Sequence, residues 1–243
     1  MVKHDIVYIL KKDLPSEELK YSIRSVVENF PYNRIIFYCG CPEDIKPDVM
    51  VPFDQEGFGK INKVLGTLKE VVKNKDISED FWLFNDDFFI LKPYESGLPW
   101  INGDIYSLIR KIEDEKKSSR YTDILRWTAN NLKQWNKNNL SYATHTPMLI
   151  NREKARIVLR NFVPPYSFRS VYGNYWEVPG EFHNDIKITE LDKVPDDSYI
   201  FLSTNETSFN KGKVGEYIRE RFPNPSKYEI ACFEEKTYCN VRE

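Results

Sequence analysis

An apolar stretch of strand character, Phe81-Trp-Leu-Phe84, stops at three consecutive polar residues, Asn85, Asp86 and Asp87, and then resumes as Phe88-Phe-Ile-Leu91. A buried strand has no structural use for adjacent carboxylates, because desolvating unpaired charge costs several kcal/mol or more. Two readings follow from the residues alone. The acids cap the turn after the strand, or they hold a divalent cation against phosphate oxygens. The aromatic flanks favour a site over a solvated edge.

The order of elements before the acids bears on that choice. Asp5 to Leu10 is a short β-branched and aromatic run that predicts a buried first strand. Ser16 reads as a helix N-cap followed by Glu17 and Glu18, and Leu19, Ile23, Val26, Val27 and Phe30 recur at helical spacing up to Pro31. Arg34 to Cys39 and Asp48 to Phe53 predict two more strands. Gly57 and Gly59 mark a loop before a helix through Ile61, Val64, Leu65, Leu68 and Val71. Phe81 to Asn85 is then a fourth strand. This alternation predicts an α/β fold with a mainly parallel sheet flanked by helices. Ligands of open α/β sheets bind beyond the carboxyl ends of the strands, which is where Asp86 and Asp87 fall.

With 243 residues the chain suits one domain, residues 1–243, with an α/β core over 1–95 and an elaboration over 96–243. Positive and negative side chains nearly balance, at a formal net charge of −2, so no global basic field for nucleic acid exists. Cys39, Cys41, Cys232 and Cys239 follow no zinc spacing, and free thiols are expected. The N-terminus lacks the apolar core of a signal peptide, and no apolar run approaches the ~20 residues that span a bilayer. A cytoplasmic protein is expected.

Beyond the acids, Ile109 to Lys117 and Tyr121 to Trp135 read as helices, the first solvated, and Arg152 to Phe162 as another closed by Pro164-Pro165. His145 precedes Pro147 by two residues, which predicts extended geometry around it. Ser167 to Asp185 is rich in aromatic and polar residues without periodicity and reads as a loop region at the site. Tyr199 to Ser203 is a late strand, and Val214 to Phe222 a last helix.

Taken in order, these pieces resemble the Stealth family of sugar-1-phosphate transferases over most of the chain. Asp5-Ile-Val-Tyr is similar to the start of its first motif, and Glu18-Leu-Lys-Tyr-Ser-Ile-Arg-Ser25 to its "ELRYSLRS" segment. Asn62 stands where the family has an asparagine before its central helix. Phe84-Asn-Asp-Asp-Phe-Phe89 resembles "LNDD.FF", His145-Thr-Pro147 resembles "H.P", and Phe168-Arg-Ser170 resembles "FRS". Asn205-Glu206 sits where the family has Asn-Asp, and the segment from Phe222 to Glu229 resembles "FP..S.FE". Departures are Lys20 for an arginine, Glu206 for an aspartate, and Leu10-Lys-Lys-Asp13 where the family continues Trp-Val-Asp-Gly.

The resemblance implies a GT-A-like nucleotide-diphosphosugar transferase architecture, a UDP- or GDP-sugar donor and an acceptor bearing a hydroxyl. It implies Mg²⁺ or Mn²⁺ held by Asp86 and Asp87, with His145, Asp87 and Arg169 catalytic. Asp5, Arg24, Lys60, Asn62, Asn85 and Asn205 are the expected donor-binding set. Two alternatives stay open: a metal-dependent glycosyltransferase attacking the anomeric carbon, and an inactive sugar- or nucleotide-binding protein.

Overall fold

The structure, a computed structural model, describes residues 2–13, 15–55, 59–95, 97–115 and 120–230. The loop glycine Gly57, the end of the Ile109 to Lys117 stretch, Cys232 and Cys239 lie outside them. Cys39 and Cys41 are free thiols.

The first half follows the expected order: β1 (His4–Ile9), α1 (Ser16–Asn29), β2 (Tyr32–Tyr38), β3 (Val49–Val51), α2 (Lys60–Val71) and β4 (Asp80–Phe84). Pro15 rather than Ser16 is the N-cap residue of α1. Its fixed φ suits the entry to a helix. β5 (Phe88–Ile90) leaves straight after the acids, followed by β6 (Trp100–Ile101), α3 (Ile105–Asp114), α4 (Arg120–Gln134), β7 (Met148–Asn151) and α5 (Arg152–Asn161). The chain then forms α6 (Phe168–Tyr175), β8 (Glu181–Phe182), β9 (Lys187–Ile188), β10 (Phe201–Thr204), α7 (Glu206–Lys211) and α8 (Lys213–Arg221). The stretch from Ser167 to Asp185 is thus not the loop expected but a helix and a strand. α3 is not wholly solvated either, since Ile105 and Ile109 are buried against α4.

The central five-stranded sheet has the order β3-β2-β1-β4-β7. All its pairs are parallel except β4 with β7. Successive residues of β1 serve opposite faces, as the pleat requires. Val7 packs with Leu65 and Leu68 of α2 and Val158 of α5, while Ile6 and Tyr8 pack with Leu19, Ile23 and Val26 of α1. Burial on both faces explains why β1 and β2 read as continuous apolar runs. A second sheet, β5-β10-β9, lies beyond the end of β4, and β6 pairs with β8. The two expected halves interleave, because β7 borders the central sheet and β10 pairs with β5. No helix among the described residues is long and apolar enough to cross a membrane.

The end of the described chain is tied down by Arg24 of α1. Its Nε and Nη2 donate to the two carboxylate oxygens of Glu229 at 2.8 and 2.7 Å, and its Nη1 donates to the Phe222 carbonyl at 2.9 Å. Both side chains are nearly nine-tenths buried or more. Removing one member of such a pair strands the other charge in a poorly solvated place, at about 3–5 kcal/mol. Arg24→Ala is therefore expected to lower the stability by about 3 kcal/mol in urea unfolding. An unchanged midpoint would show that the clamp carries no net stability.

Candidate active site

Asp86 and Asp87 occupy the turn between β4 and β5, past the carboxyl end of the central sheet. Two features of the topology bring partners to them. β7 runs antiparallel to β4 with Leu83 opposite Met148, so the segment before β7, which holds His145, meets the segment after β4. β10 pairs with β5 and β9 with Ser203 opposite both Phe88 and Lys187, which sets Ser203 and Lys187 side by side.

Both of these neighbours bind one oxygen of Asp87: Lys187 Nζ lies 2.7 Å from Oδ2, and Ser203 Oγ donates to it at 3.1 Å. Burial alone would raise the Asp87 pKa, but Lys187, His145 and Ser203 outweigh it and hold the group ionised below the usual carboxylate range. The other oxygen, Oδ1, is buried without a hydrogen-bond partner. Asp86 shifts the opposite way, raised by burial and by the charge of Asp87 against the opposing pull of Lys60 and Lys11. The pair thus carries more negative charge than Lys187 neutralises. Glu18, in the first turn of α1, adds a third acid. Its carboxylate accepts from Thr204 Oγ1, and burial together with Asp87 and Asp86 pushes its pKa to about 7.

His145 adopts a left-handed backbone conformation with φ 52°, not the extended geometry expected. Such a conformation is uncommon for a non-glycine residue and implies that surrounding contacts enforce it. Its Nδ1 lies 2.9 Å from both carboxylate oxygens of Asp185. Asp185 and Lys187 are two residues apart on one extended segment, so a single segment grips both His145 and Asp87. Arg169, on α6, is turned towards the protein. Its Nη2 donates to the Leu83 carbonyl at 3.1 Å and to Asn85 Oδ1 at 3.4 Å, and its Nη1 donates to the Thr146 carbonyl. Its guanidinium also packs 5.0 Å from the Phe88 ring centroid. Burial lowers its pKa to about 10 despite the favourable charge of Asp87, which leaves it cationic at neutral pH. It braces Asn85 and the His145 segment from behind.

Asp86 also lines a cavity of about 590 Å³ that runs beneath the ends of β1 and β2 to the start of α2. Lys11, Lys12, Lys60 and Lys63 line it, against Asp13 and Asp54 besides Asp86. The turn after β2 lets Lys11 sit there: a methyl group on Gly40 would lie 1.9 Å from the Lys11 carbonyl oxygen. Only glycine permits that approach. Asn62, half-buried on α2, follows Lys60 by two residues.

Three of the expected donor-binding residues are engaged elsewhere. Asp5 is the second residue of β1, at the end of the sheet remote from the acids, and is fully buried with Arg34, Asn33 and the Ser78 amide on its carboxylate. Arg24 is committed to Glu229. Asn205 caps α7 by accepting from the Ser208 amide at 2.8 Å, while Ser208 Oγ accepts a bond from the Asn205 amide. Glu18, Asp185, Lys187 and Ser203 were not among the expected site residues. Lys187 lies 100 positions from Asp87 and carried no local signal. Glu18 did stand at the head of a motif segment.

The residues fit Mg²⁺ or Mn²⁺ in one respect, the buried unpartnered Oδ1 of Asp87 beside a second, repelled carboxylate. Among the described residues no three ligating side chains gather. Magnesium sites built from one or two carboxylates plus substrate phosphates need no third.

The sequence matches no family model and no curated protein, so the Stealth resemblance rests on its motifs. The fold is similar to solved structures. One, the galactosyltransferase LgtC in complex with donor and acceptor sugar analogs, aligns over 91% of this chain and 96% of its own, with a TM-score of 0.50 and 11% identity. An active-site mutant of LgtC covers 89% and 94% at a TM-score of 0.48 and 11% identity. A 4-diphosphocytidyl-2C-methyl-D-erythritol synthase covers 76% and 90% at 0.36 and 12% identity. The α/β architecture, with its mainly parallel sheet flanked by helices, is thus shared with the galactosyltransferase structure.

Glu18 makes the cost of this cluster measurable. Below the ordinary carboxylate range the group is protonated in both folded and unfolded chains and contributes nothing. As pH rises from the ordinary carboxyl value of 4.5 through about 7, the unfolded chain ionises first, and stability is lost. Glu18→Gln is expected to remove that loss, with a gain on the order of 2 kcal/mol at pH 8 that vanishes near pH 4. Urea midpoints at the two pH values check it, and equal gains at both would dissolve the electrostatic explanation.

Proposed function

We propose that the chain is a divalent-metal-dependent transferase that moves sugar-1-phosphate from a nucleotide-diphosphosugar to an acceptor hydroxyl. One observation carries the reading: an over-charged carboxylate pair, with one buried oxygen unpartnered, stands where the central sheet opens onto a lysine-lined cavity. A diphosphate is the ligand whose charge matches both halves of that arrangement.

In this reading Lys60, with Lys11 and Lys63, neutralises the donor's diphosphate, and Asn62 and Asn85 line its path. Asp86 and Asp87 would hold the metal, which supplies charge neutralisation at the phosphates undergoing transfer. With Nδ1–H donating a hydrogen bond to Asp185, Nε2 is the nitrogen that would take the proton of the acceptor hydroxyl. The acceptor oxygen attacks the sugar-linked phosphorus. The bond from that phosphorus to the bridging oxygen breaks, and a nucleoside monophosphate leaves. Lys187 and Ser203 keep Asp87 ionised and oriented throughout, and Arg169 fixes the loop that carries His145.

The second reading, transfer of the sugar itself, is favoured by the fold likeness to a galactosyltransferase. The same residues serve it with attack at the anomeric carbon, and a nucleoside diphosphate leaves. A donor labelled in its β-phosphate separates the two: label in the acceptor product supports phosphotransfer, and label leaving with the nucleotide sinks it. Asp87→Asn, with circular dichroism unchanged, is expected to cut turnover by roughly a hundredfold or more. Binding of nucleotide-sugar by the wild type without any turnover would instead mark a binding protein.

A further inference from the structure

A donor bound in the lysine-lined cavity must bring its diphosphate past the lysines, and one more cation stands at the cavity's rim. Gly59, the N-cap residue of α2, lines the cavity with φ 82°. A methyl group on Gly59 would lie 2.6 Å from Nη2 and 3.1 Å from Cζ of Arg120, so that guanidinium rests against the bare backbone one residue before Lys60. Arg120 opens α4. Arg126, six residues on, is spent on Asp123 and Glu113, whereas no ion pair among the described residues holds Arg120. Its fully charged planar fork offers two parallel N–H bonds to phosphate oxygens, which the ammonium groups of Lys60 and Lys63 cannot present.

We infer that Arg120 is a binding residue for the diphosphate of the donor, supplying the bidentate contact that the lysines of the cavity lack. The inference rests on the donor reading above, and glycine at position 59 is what leaves the guanidinium room to lie there.

The test is titration calorimetry of UDP and of GDP, each with MnCl₂, into wild type, R120Q, R120K and the control R126Q. Wild type is expected to bind one of the two nucleotides. R120Q should weaken that binding about tenfold or more, the scale of a lost charge-assisted hydrogen bond. R120K should fall between, because it keeps the charge and loses the fork, and R126Q should stay within about twofold of wild type. If R120Q, folded by circular dichroism, also stays within about twofold, Arg120 does not touch the diphosphate and the cavity reading stands without it. A wild type that binds neither nucleotide overturns the donor reading itself, and Arg120 with it. A loss of equal size in R126Q would mean that general charge, not the placement of Arg120, governs binding, and would overturn the inference.

Discussion

Two adjacent carboxylates at the end of a buried strand repel each other, and most of the surrounding structure answers that repulsion. Asp87 is kept ionised by Lys187, with His145 and Ser203 adding to it, while Asp86 and Glu18 are driven towards their neutral forms. Such a division between neighbouring acids is a mark of functional sites, where unequal environments separate the pKa values of similar groups. The arrangement is costly for folding and is tolerated because the apolar faces of β1, β4 and the helices around them stabilise the domain independently.

Cations are distributed around the pair in three layers of differing exposure. Lys187 is in contact, the lysines of the cavity lie towards solvent, and Arg169 stands behind, bonded to the backbone at Leu83 and Thr146. The guanidinium of Arg169 donates to Thr146, Leu83 and Asn85, and those bonds fix Asn85 and the His145 segment relative to each other.

The position of the acids was legible because a strand burying both faces leaves no innocent place for two charges, and the break after Phe84 marked the strand end. The central sheet was legible for the same reason, through the runs of β1, β2 and β4. α6 was not. Phe168, Val171, Tyr172 and Tyr175 do recur at helical spacing, but the helix is only eight residues long and Ser170, Gly173 and Asn174 are buried as well, so that short period is lost in the aromatic and polar stretch around it. Asp5 was correctly read at the start of the first strand, but that end of the sheet lies away from the acids, and its charge is answered by Arg34 as part of the fold. Lys187 and Asp185 lie far from their partners along the chain, and pairings of that span leave no trace in local pattern.

The register of β9 against β10 has a consequence for how such a chain tolerates change. Lys187 pairs with Ser203, and Asp185 precedes Lys187 by two residues, so both reach the site from one side of the segment. A slip of one residue in that short pairing would turn every side chain of the segment to the other face. Asp87 would lose its counter-charge and His145 its acceptor in the same event. An insertion or deletion of one residue between Asp185 and Lys187 would likewise uncouple the two grips, although it touches neither of the residues that would react.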